Sequence, residues 1–573
     1  MGSSNPTTPL HPLGSKARVL LTSVFGPYAQ DDAFGSRSIN PMELYHNQVT
    51  RVQGVFSLRM FHRSWGLMLI QANIEAPCRL LDFPSLERFL GELRDNPYDV
   101  IGISSILPNI GKVAKMCELV RELQPHATIV VGGHVANHPR LADRIDADHI
   151  VRGEGVRWFR AYLGEDVERP IRHPAIPSTV GARTVGLPLS KRPRDTAATL
   201  IPSVGCPLGC NFCSTSAMFG GKGRFFNFFE TGDELFGVMR ELESRLGVQA
   251  FFVMDENFLL HRKRALRLLE LMRRHDKAWA LYVFSSASAL RLYTTEELVG
   301  LGISWVWLGL EGDKATYAKL RGTDTRRLVD ELQSHGIRVL GSTIVGLPEH
   351  TPENIHAAID YAVAHDTEFH QFMLYTPLPG TPLHAEHEAN GTLLDEADCS
   401  DADTHGQLRF NFRHPSLPPG QETELLRRAF ERDFEVNGPS LTRIARTLLR
   451  GFKRHKAHPD PRVRARYARE CRDLPTAYAG LLWASERWLR RNKPLVARLR
   501  VVRRELHAEF GLRSRLAAPL VGLAVLVAMA LERRRLRAGR TYEPPTFYET
   551  NEAATPAVTS VVARCAVVPV EAV

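Results

Sequence analysis

Cys206, Cys210 and Cys213 lie in the stretch Ser203-Val-Gly-Cys-Pro-Leu-Gly-Cys-Asn-Phe-Cys-Ser214. Thiolates are the usual protein ligands of a [4Fe–4S] cluster, and a full set is four. Three leave one iron open to a ligand that the protein does not supply. Intervals of three and two residues between the cysteines suit a tight loop folded over one cluster, and Gly205, Pro207 and Gly209 supply the sharp backbone that it needs. Two other readings stand beside this one. A zinc site takes four ligands, and no clear fourth lies nearby; a disulfide pair is disfavoured in a reducing compartment. The remaining cysteines, Cys78, Cys117, Cys399, Cys471 and Cys565, are scattered singly and read as small buried or incidental thiols.

A cluster loop needs a frame. The residues before it, Ala198–Val204, read as a strand, and from Leu200 to Leu383 strand and helix alternate. Further strands are predicted at Ala250–Met254, Ala280–Ser285, Trp305–Gly309, Arg338–Val345 and Phe369–Tyr375. Barrel enzymes keep their catalytic groups at the C-terminal ends of such strands, and polar residues cluster there: Asp255, Glu256 and Asn257, then Ser285 and Ser286, Glu311, and Ser342 and Thr343. Upstream, Lys16–Leu163 alternates short apolar runs at Ala17–Thr22, Leu67–Ala72, Val100–Ser105, Thr128–Gly132 and His149–Arg152 with helical patterns that include Leu86–Arg94 and Lys112–Leu123. This predicts an open, mostly parallel, doubly wound sheet. Ligands of such sheets sit beyond the carboxyl ends of the strands. Those ends carry Ser104, Ser105, Gly132, Gly133, His134, Gly153 and Glu154, small residues for the most part, which let the backbone approach a flat cofactor or a phosphate; glycines that turn the chain explain them as well. The connection from Ser23 to Trp65 is unusually long, which marks it as functional or built of irregular helix.

With 573 residues, 44% of them hydrophobic, the chain is globular and long enough for two or three domains. Its first residues lack the basic start and apolar core of a secretory signal, so a cytoplasmic location is expected. The net charge of +10 is uneven: Ser440–Arg540 holds 26 Lys and Arg against 7 Asp and Glu, so this segment carries +19 and the rest −9. Such a patch attracts phosphates of nucleic acid or anionic lipid, or is a solvated helical face. No interleaved aromatic platform accompanies it, which argues against nucleic acid. Within it Leu516–Leu531 is apolar and bracketed by arginines; sixteen residues reach roughly 24 Å as helix, short of a bilayer core of ~30 Å. Two readings remain for Ser514–Gly539: a helix lying in the membrane interface on the cytoplasmic face, or a buried helix. Residues 1–15 and 541–573 are expected to be disordered tails, with a basic helical domain over 401–540.

The C-x3-C-x2-C loop, with Phe212 before its last cysteine, resembles the signature of the radical S-adenosylmethionine (SAM) superfamily. In that family SAM chelates the open iron, and its reductive cleavage gives a 5′-deoxyadenosyl radical that abstracts hydrogen from substrate. The resemblance implies a partial (β/α)6 barrel over 190–400, with Phe212, Asp255, Glu256, Asn257, Ser285, Glu311, Ile344 and Gly346 around SAM, although Ser342 stands where the family often has glycine. Tyr375–Leu383 looks like its barrel-closing segment. Together with this loop, Val131-Gly-Gly-His134 and Arg152-Gly-Glu-Gly155 resemble the cobalamin-binding Rossmann-like domain of cobalamin-dependent radical SAM enzymes, here 16–185, which implies cobalamin contacts from Ser104, Ser105, Gly132, Gly133, His134, Gly153 and Glu154. The D-x-H-x-x-G pattern that gives cobalt a histidine elsewhere is absent. What the resemblance implies is an α/β enzyme with a [4Fe–4S] cluster, SAM and cobalamin, methylating an unactivated carbon of a small molecule, a lipid or isoprenoid by preference, and fed by a donor such as flavodoxin or ferredoxin. The alternatives are cyclisation, rearrangement or carbon–carbon coupling without methyl transfer, a radical SAM enzyme whose first domain only holds substrate, and a non-catalytic iron–sulfur protein of the membrane surface.

Overall fold

The computed structural model describes residues 9–28, 34, 43–311 and 324–551. Five parallel strands form the N-terminal sheet, in the spatial order Cys78–Asp82, Val19–Ser23, Val100–Ser104, Thr128–Gly132 and His149–Ile150. Alternation along the strands feeds two cores. Leu20, Ile101, Ile129 and Val131 meet Val113, Met116 and Val120 of the helix Ile110–Leu123 on one face. Val19, Leu21, Val100 and Val130 meet Leu67, Met68 and Phe159 on the other. The doubly wound reading holds, with one element exchanged. Leu67–Ala72, expected as a strand, belongs to the helix Trp65–Gln71. A short apolar run fits either period, and here the unbranched Leu67, Met68 and Leu69 favour helix. The strand in its place, Cys78–Asp82, was hidden by two charges that the fold satisfies: Arg79 reaches Asn96 and Glu92, and buried Asp82 accepts from Arg63 (2.9 Å) and Ser64 (2.7 Å).

Both expected tails are partly ordered. His11 is buried, and its backbone N–H donates to Tyr162. Phe547–Thr550 adds an antiparallel strand to the exposed edge of Cys78–Asp82. Residues 1–8 and 552–573, which include Cys565, lie outside the described residues.

The second sheet is six parallel strands in sequence order: Ala198–Leu200, Ala250–Val253, Ala280–Ser285, Ile303–Gly309, Arg338–Val345 and Phe369–Leu374. Capping boxes at Thr231 with Glu234 and at Thr294 with Glu297 start two of the outer helices. The first strand stops at Pro202, and Ser203–Val204 turns away to pair with Phe226–Asn227. The first and sixth strands do not meet. Part of the long connection fills that gap: Tyr45–Val49 is a π-helix, Gly54–Phe56 a 3-10 turn, and Arg59–Phe61 pairs with Val180–Thr184, which continues as a hairpin into Leu187–Pro188. This strap touches the barrel through Gln48, which accepts from Gln371 (3.1 Å), through Tyr45 against Phe369, and through His62 stacked on Phe252.

Helices from Glu422 onward close the N-terminal end of the barrel. Glu470 pairs with Arg338 (2.6 Å), and Arg469 donates to Ala278 O (2.6 Å). A few arginines of the +19 segment are engaged inside the molecule, while most of its basic residues stay exposed. Arg443 pairs with Asp433 (2.7 Å), and Arg446 and Arg498 both reach Asp366. The last helix, Lys493–Arg537, kinks at Gly511, where φ is 58°. It is long and apolar enough to cross a membrane by length and composition. Ser514, Ala518, Gly522, Val525 and Met529 face inward, and Gly522 lies so close to Trp483 that a Cβ would meet its ring at 2.4 Å. The opposite face exposes Leu512, Leu516, Leu520, Leu523, Val527 and Leu531, each more than half accessible. The helix is thus buried along one face and apolar along its exposed one.

Candidate functional site

The cysteine loop leaves the barrel at the C-terminal end of the first strand. Gly209, at φ +64°, lies against Lys222, whose backbone a Cβ would meet at 2.4 Å, so the loop closes this tightly only with glycine there. Gly223 N–H donates to Pro207 O (2.9 Å), and Leu383 N–H from the barrel-closing segment donates to Asn211 O (3.1 Å). Burial pushes the Cys206 thiol up to about 11, with the charges of Cys213, Cys210 and Glu256 adding to it. Burial likewise raises Cys213. Thiols raised in this way at Cys206 and Cys213, beside Cys210, favour a positive centre among them. A structural zinc takes four ligands, and the loop offers three thiols. The three-thiol donor set fits a polynuclear iron cluster instead, and none of the three is in a disulfide.

The two carboxylates after the second strand part company. Asp255 is buried against Arg264, each side chain 3% accessible, and accepts from Ser203 Oγ (2.7 Å). Its charge is therefore balanced within the protein by Arg264. Glu256 accepts from the backbone of Gly205 beside Cys206, its other oxygen is buried with no hydrogen-bond partner among the described residues, and burial pushes its carboxyl up to about 8. An orphaned buried oxygen next to the cluster loop fits an ammonium group, the feature SAM offers there. Asn257 joins Ser286 (3.2 Å) and Ser285 (3.3 Å), and Glu311 is buried at the end of the fourth strand. Phe212 and Ile344 pack in one apolar cluster, as an adenine-binding wall requires. Gly346 serves packing: a Cβ would meet Phe410 at 2.4 Å, and its N–H donates to His350.

Between the N-terminal sheet and the cluster loop lies a cavity of about 150 Å³. Gly132, Gly133 and Gly153 line it from the strand ends, and Met218 and Phe219 from the turn after Cys213. A cavity of that size takes a benzene-sized ring, so it fits a heterocyclic part of a corrinoid rather than the whole. Gly133 is at φ +81°, and a Cβ there would meet Ser105 O at 2.6 Å. His134 Nδ1 lies 3.1 Å from Ser214 Oγ, and Asn137 donates to Ser214 O (3.0 Å), which fixes this domain to the cluster loop. Ser104 lines the cavity, whereas Ser105 turns to Ile106 O (3.3 Å). Glu154 lines it too but caps the helix Gly155–Tyr162, accepting from Val156 (2.5 Å) and Arg157 (2.9 Å). Sequence reasoning missed Gly66, Ile70 and Phe159 on the far wall, because the helix that carries the first two was taken for a strand. It also missed Arg264, whose signal was an arginine beside Ala265 and Leu268 on a buried helix face.

Residues 200–362 match the Radical SAM superfamily and residues 55–163 match the B12 binding domain. The chain is a radical SAM enzyme with a B12-binding domain. Its cofactors are a [4Fe–4S] cluster, SAM and cobalamin. This radical SAM chain is 25% identical to an uncharacterized methyltransferase of Pyrococcus horikoshii over 52% of its own length and 71% of that protein. It is 30% identical to the bacteriochlorophyllide d C-12(1)-methyltransferase of Chlorobaculum tepidum over 33% of its length, spanning less than half (42%) of that relative. Among solved structures, the radical SAM methyltransferase TsrM of Kitasatospora setae, with cobalamin and a [4Fe–4S] cluster bound, aligns at a TM-score of 0.49 and 17% identity over 80% of this chain and 99% of that one.

Proposed function

We propose that the protein is a cobalamin-dependent radical SAM methyltransferase that methylates an unactivated carbon of a lipid or isoprenoid. The observation that carries this reading is the cavity between the domains, whose walls come from the glycine-rich strand ends on one side and the turn after Cys213 on the other. When bound, the cluster and SAM supply a carbon-centred radical and cobalamin supplies a methyl group. The protein's part is to hold these groups near one substrate carbon and exclude water. Cys206, Cys210 and Cys213 would hold the cluster, Glu256 the SAM ammonium, and Phe212 with Ile344 its adenine. Ser104, Gly132, Gly133 and Gly153 would hold the cobalamin.

The exposed leucines of the last helix support contact with an anionic membrane on its cytoplasmic face. Arg513 and Arg515 flank them at one end, and Arg533, Arg534 and Arg537 at the other, all exposed, so apolar burial and phosphate pairing act together. A small flavin or iron–sulfur protein such as flavodoxin or ferredoxin would deliver the electron.

Anaerobic reconstitution with iron, sulfide and hydroxocobalamin, then turnover with SAM carrying a deuterated methyl group, tests the reaction. Product heavier by the labelled methyl supports it; 5′-deoxyadenosine with a product that gains no carbon means cyclisation, rearrangement or coupling. Protein that takes up no corrinoid removes the methyl-transfer step. Flotation with phosphatidylglycerol vesicles, lost in a Leu520→Glu/Leu523→Glu double variant, tests the membrane contact; equal flotation of both proteins refutes it.

A further inference from the structure

A second cavity, about 290 Å³, lies inside the barrel toward its N-terminal end, away from the cysteine loop. Its walls are aromatic. Phe284 stacks on Trp307 (4.9 Å between centroids) and Trp305 on Phe369 (5.2 Å), with Phe252 and Tyr282 beside them. All six are alternate residues on neighbouring strands, so their rings share the inner face. Met60 and His62 of the strap close the side where the first and sixth strands fail to meet. Barrel interiors are ordinarily filled by layers of side chains, and protein cores hold few voids larger than a water molecule. This space is open on one side, so it is a cleft that a ligand can enter rather than a sealed void. Its aromatic wall suits an apolar guest, while Ser178, Thr179, Ser190, Asp195 and Thr196 line the opposite, hairpin side.

We infer that this cavity binds the apolar skeleton of the substrate, a two-ring or roughly ten-carbon hydrocarbon portion. The volume is about twice that of the ~150 Å³ apolar cavity known to hold benzene. Trp307 stands two residues before Gly309, where the fourth strand ends, a separation of roughly 7 Å at about 3.3 Å per residue. A molecule seated on the aromatic rings therefore reaches the cluster end of the barrel with its other extremity. The site has a side entrance. Ala182 and Leu189 of the strap hairpin line it. The turn of that hairpin, Gly186, packs on the last helix, where a Cβ would meet Glu532 at 3.0 Å and Ala528 O at 3.5 Å. Leu187 and Leu189 of the hairpin are exposed. The hairpin that lines the cavity therefore also touches the last helix, which carries the exposed leucines. The identity of the reacting end rests on the proposed methyl transfer; the binding of the skeleton does not.

Calorimetric titration of the reconstituted full chain with 10-bromodecan-1-ol, under argon and without reductant, tests this. The expected result is one saturable site, weakened at least tenfold by Ala182→Trp at the entrance and by Leu340→Trp in the wall. Ala182 is only half-buried, so its replacement spares the fold even where Leu340→Trp does not. No saturable binding to the wild type, or unchanged affinity in the folded variants, overturns the inference. Formation of 5′-deoxyadenosine is measured on the same preparations. Cleavage without decanol binding removes the cavity and leaves the radical chemistry, whereas binding without cleavage does the reverse.

Discussion

Replacing the adjacent carboxylates Asp255 and Glu256 one at a time should separate stability from ligand binding. Asp255 and Arg264 form a buried pair, each side chain 3% accessible, and Ser203 completes the site. Removing one member of such a pair leaves an uncompensated buried charge, at about 3–5 kcal/mol. Asp255→Ala should therefore lower the urea midpoint sharply, and Arg264→Met should do the same. Glu256 is different. Its carboxyl is pushed up to about 8, so it is largely protonated at pH 7, and Gln is close to isosteric with that form. Glu256→Gln should change stability by under about 1 kcal/mol. What it removes is a charge-assisted hydrogen bond to an ammonium, about 1.5–3 kcal/mol, or about 10- to 150-fold in SAM affinity. The assay is equilibrium SAM binding to reconstituted protein, paired with urea unfolding of each variant. If Asp255→Ala unfolds like the wild type while weakening SAM more than Glu256→Gln does, the partition drawn from the geometry is wrong.

Cys210→Ala should abolish 5′-deoxyadenosine formation and the cluster's absorption while leaving far-UV circular dichroism intact; residual cleavage would remove the three-thiolate reading. Gly133→Val places a branched side chain where even a Cβ meets Ser105 O at 2.6 Å, at φ 81° and ψ −171°, a region essentially reserved for glycine that costs other residues about 1–3 kcal/mol. It should reduce corrinoid retention at least tenfold with iron content unchanged, and full corrinoid occupancy would show that the glycine only turns the chain. Buried His173 and His405 are held down to about 4, and His455 to about 3, chiefly by burial. Their unfolded forms bind protons near pH 6.5 and the folded forms do not, so stability is full above pH 6.5 and is lost as pH falls toward 4. By pH 5 each should cost about 2 kcal/mol, read as a falling urea midpoint; a midpoint flat from pH 7 to 5 would contradict this.

The order of the barrel strands and the cluster loop were legible because local signals sufficed: apolar runs of strand length, and cysteines separated by glycine and proline. Arg338–Val345 and Ala280–Ser285 form as the apolar runs predict. The sequence misled where partners are remote. Asp255 reads as a free carboxylate until Arg264 folds back on it. Cys78–Asp82 reads as too charged for a central strand until Arg63 meets Asp82. The strap was visible only as excess length, since a π-helix and a three-residue strand leave no periodicity. The inner barrel rings were on the page as alternate aromatics, Phe252, Tyr282, Phe284, Trp305 and Trp307, but alternation alone does not separate a filled interior from an open one.

The strand Phe547–Thr550 has a bearing on how the chain matures during translation. It completes the first sheet, yet Asn551 meets Cys78 across 473 residues of sequence. Arg63, which supports Asp82 from within, also pairs with Glu549 (2.9 Å) and lies over the ring of Phe547. A nascent chain that has released only its N-terminal half therefore carries an uncovered strand edge, of the kind that recruits foreign strands. The B12-binding half should emerge from the ribosome able to collapse but not to finish. Fragments ending before residue 547 should aggregate on expression, and adding a synthetic peptide spanning 545–551 should restore their solubility.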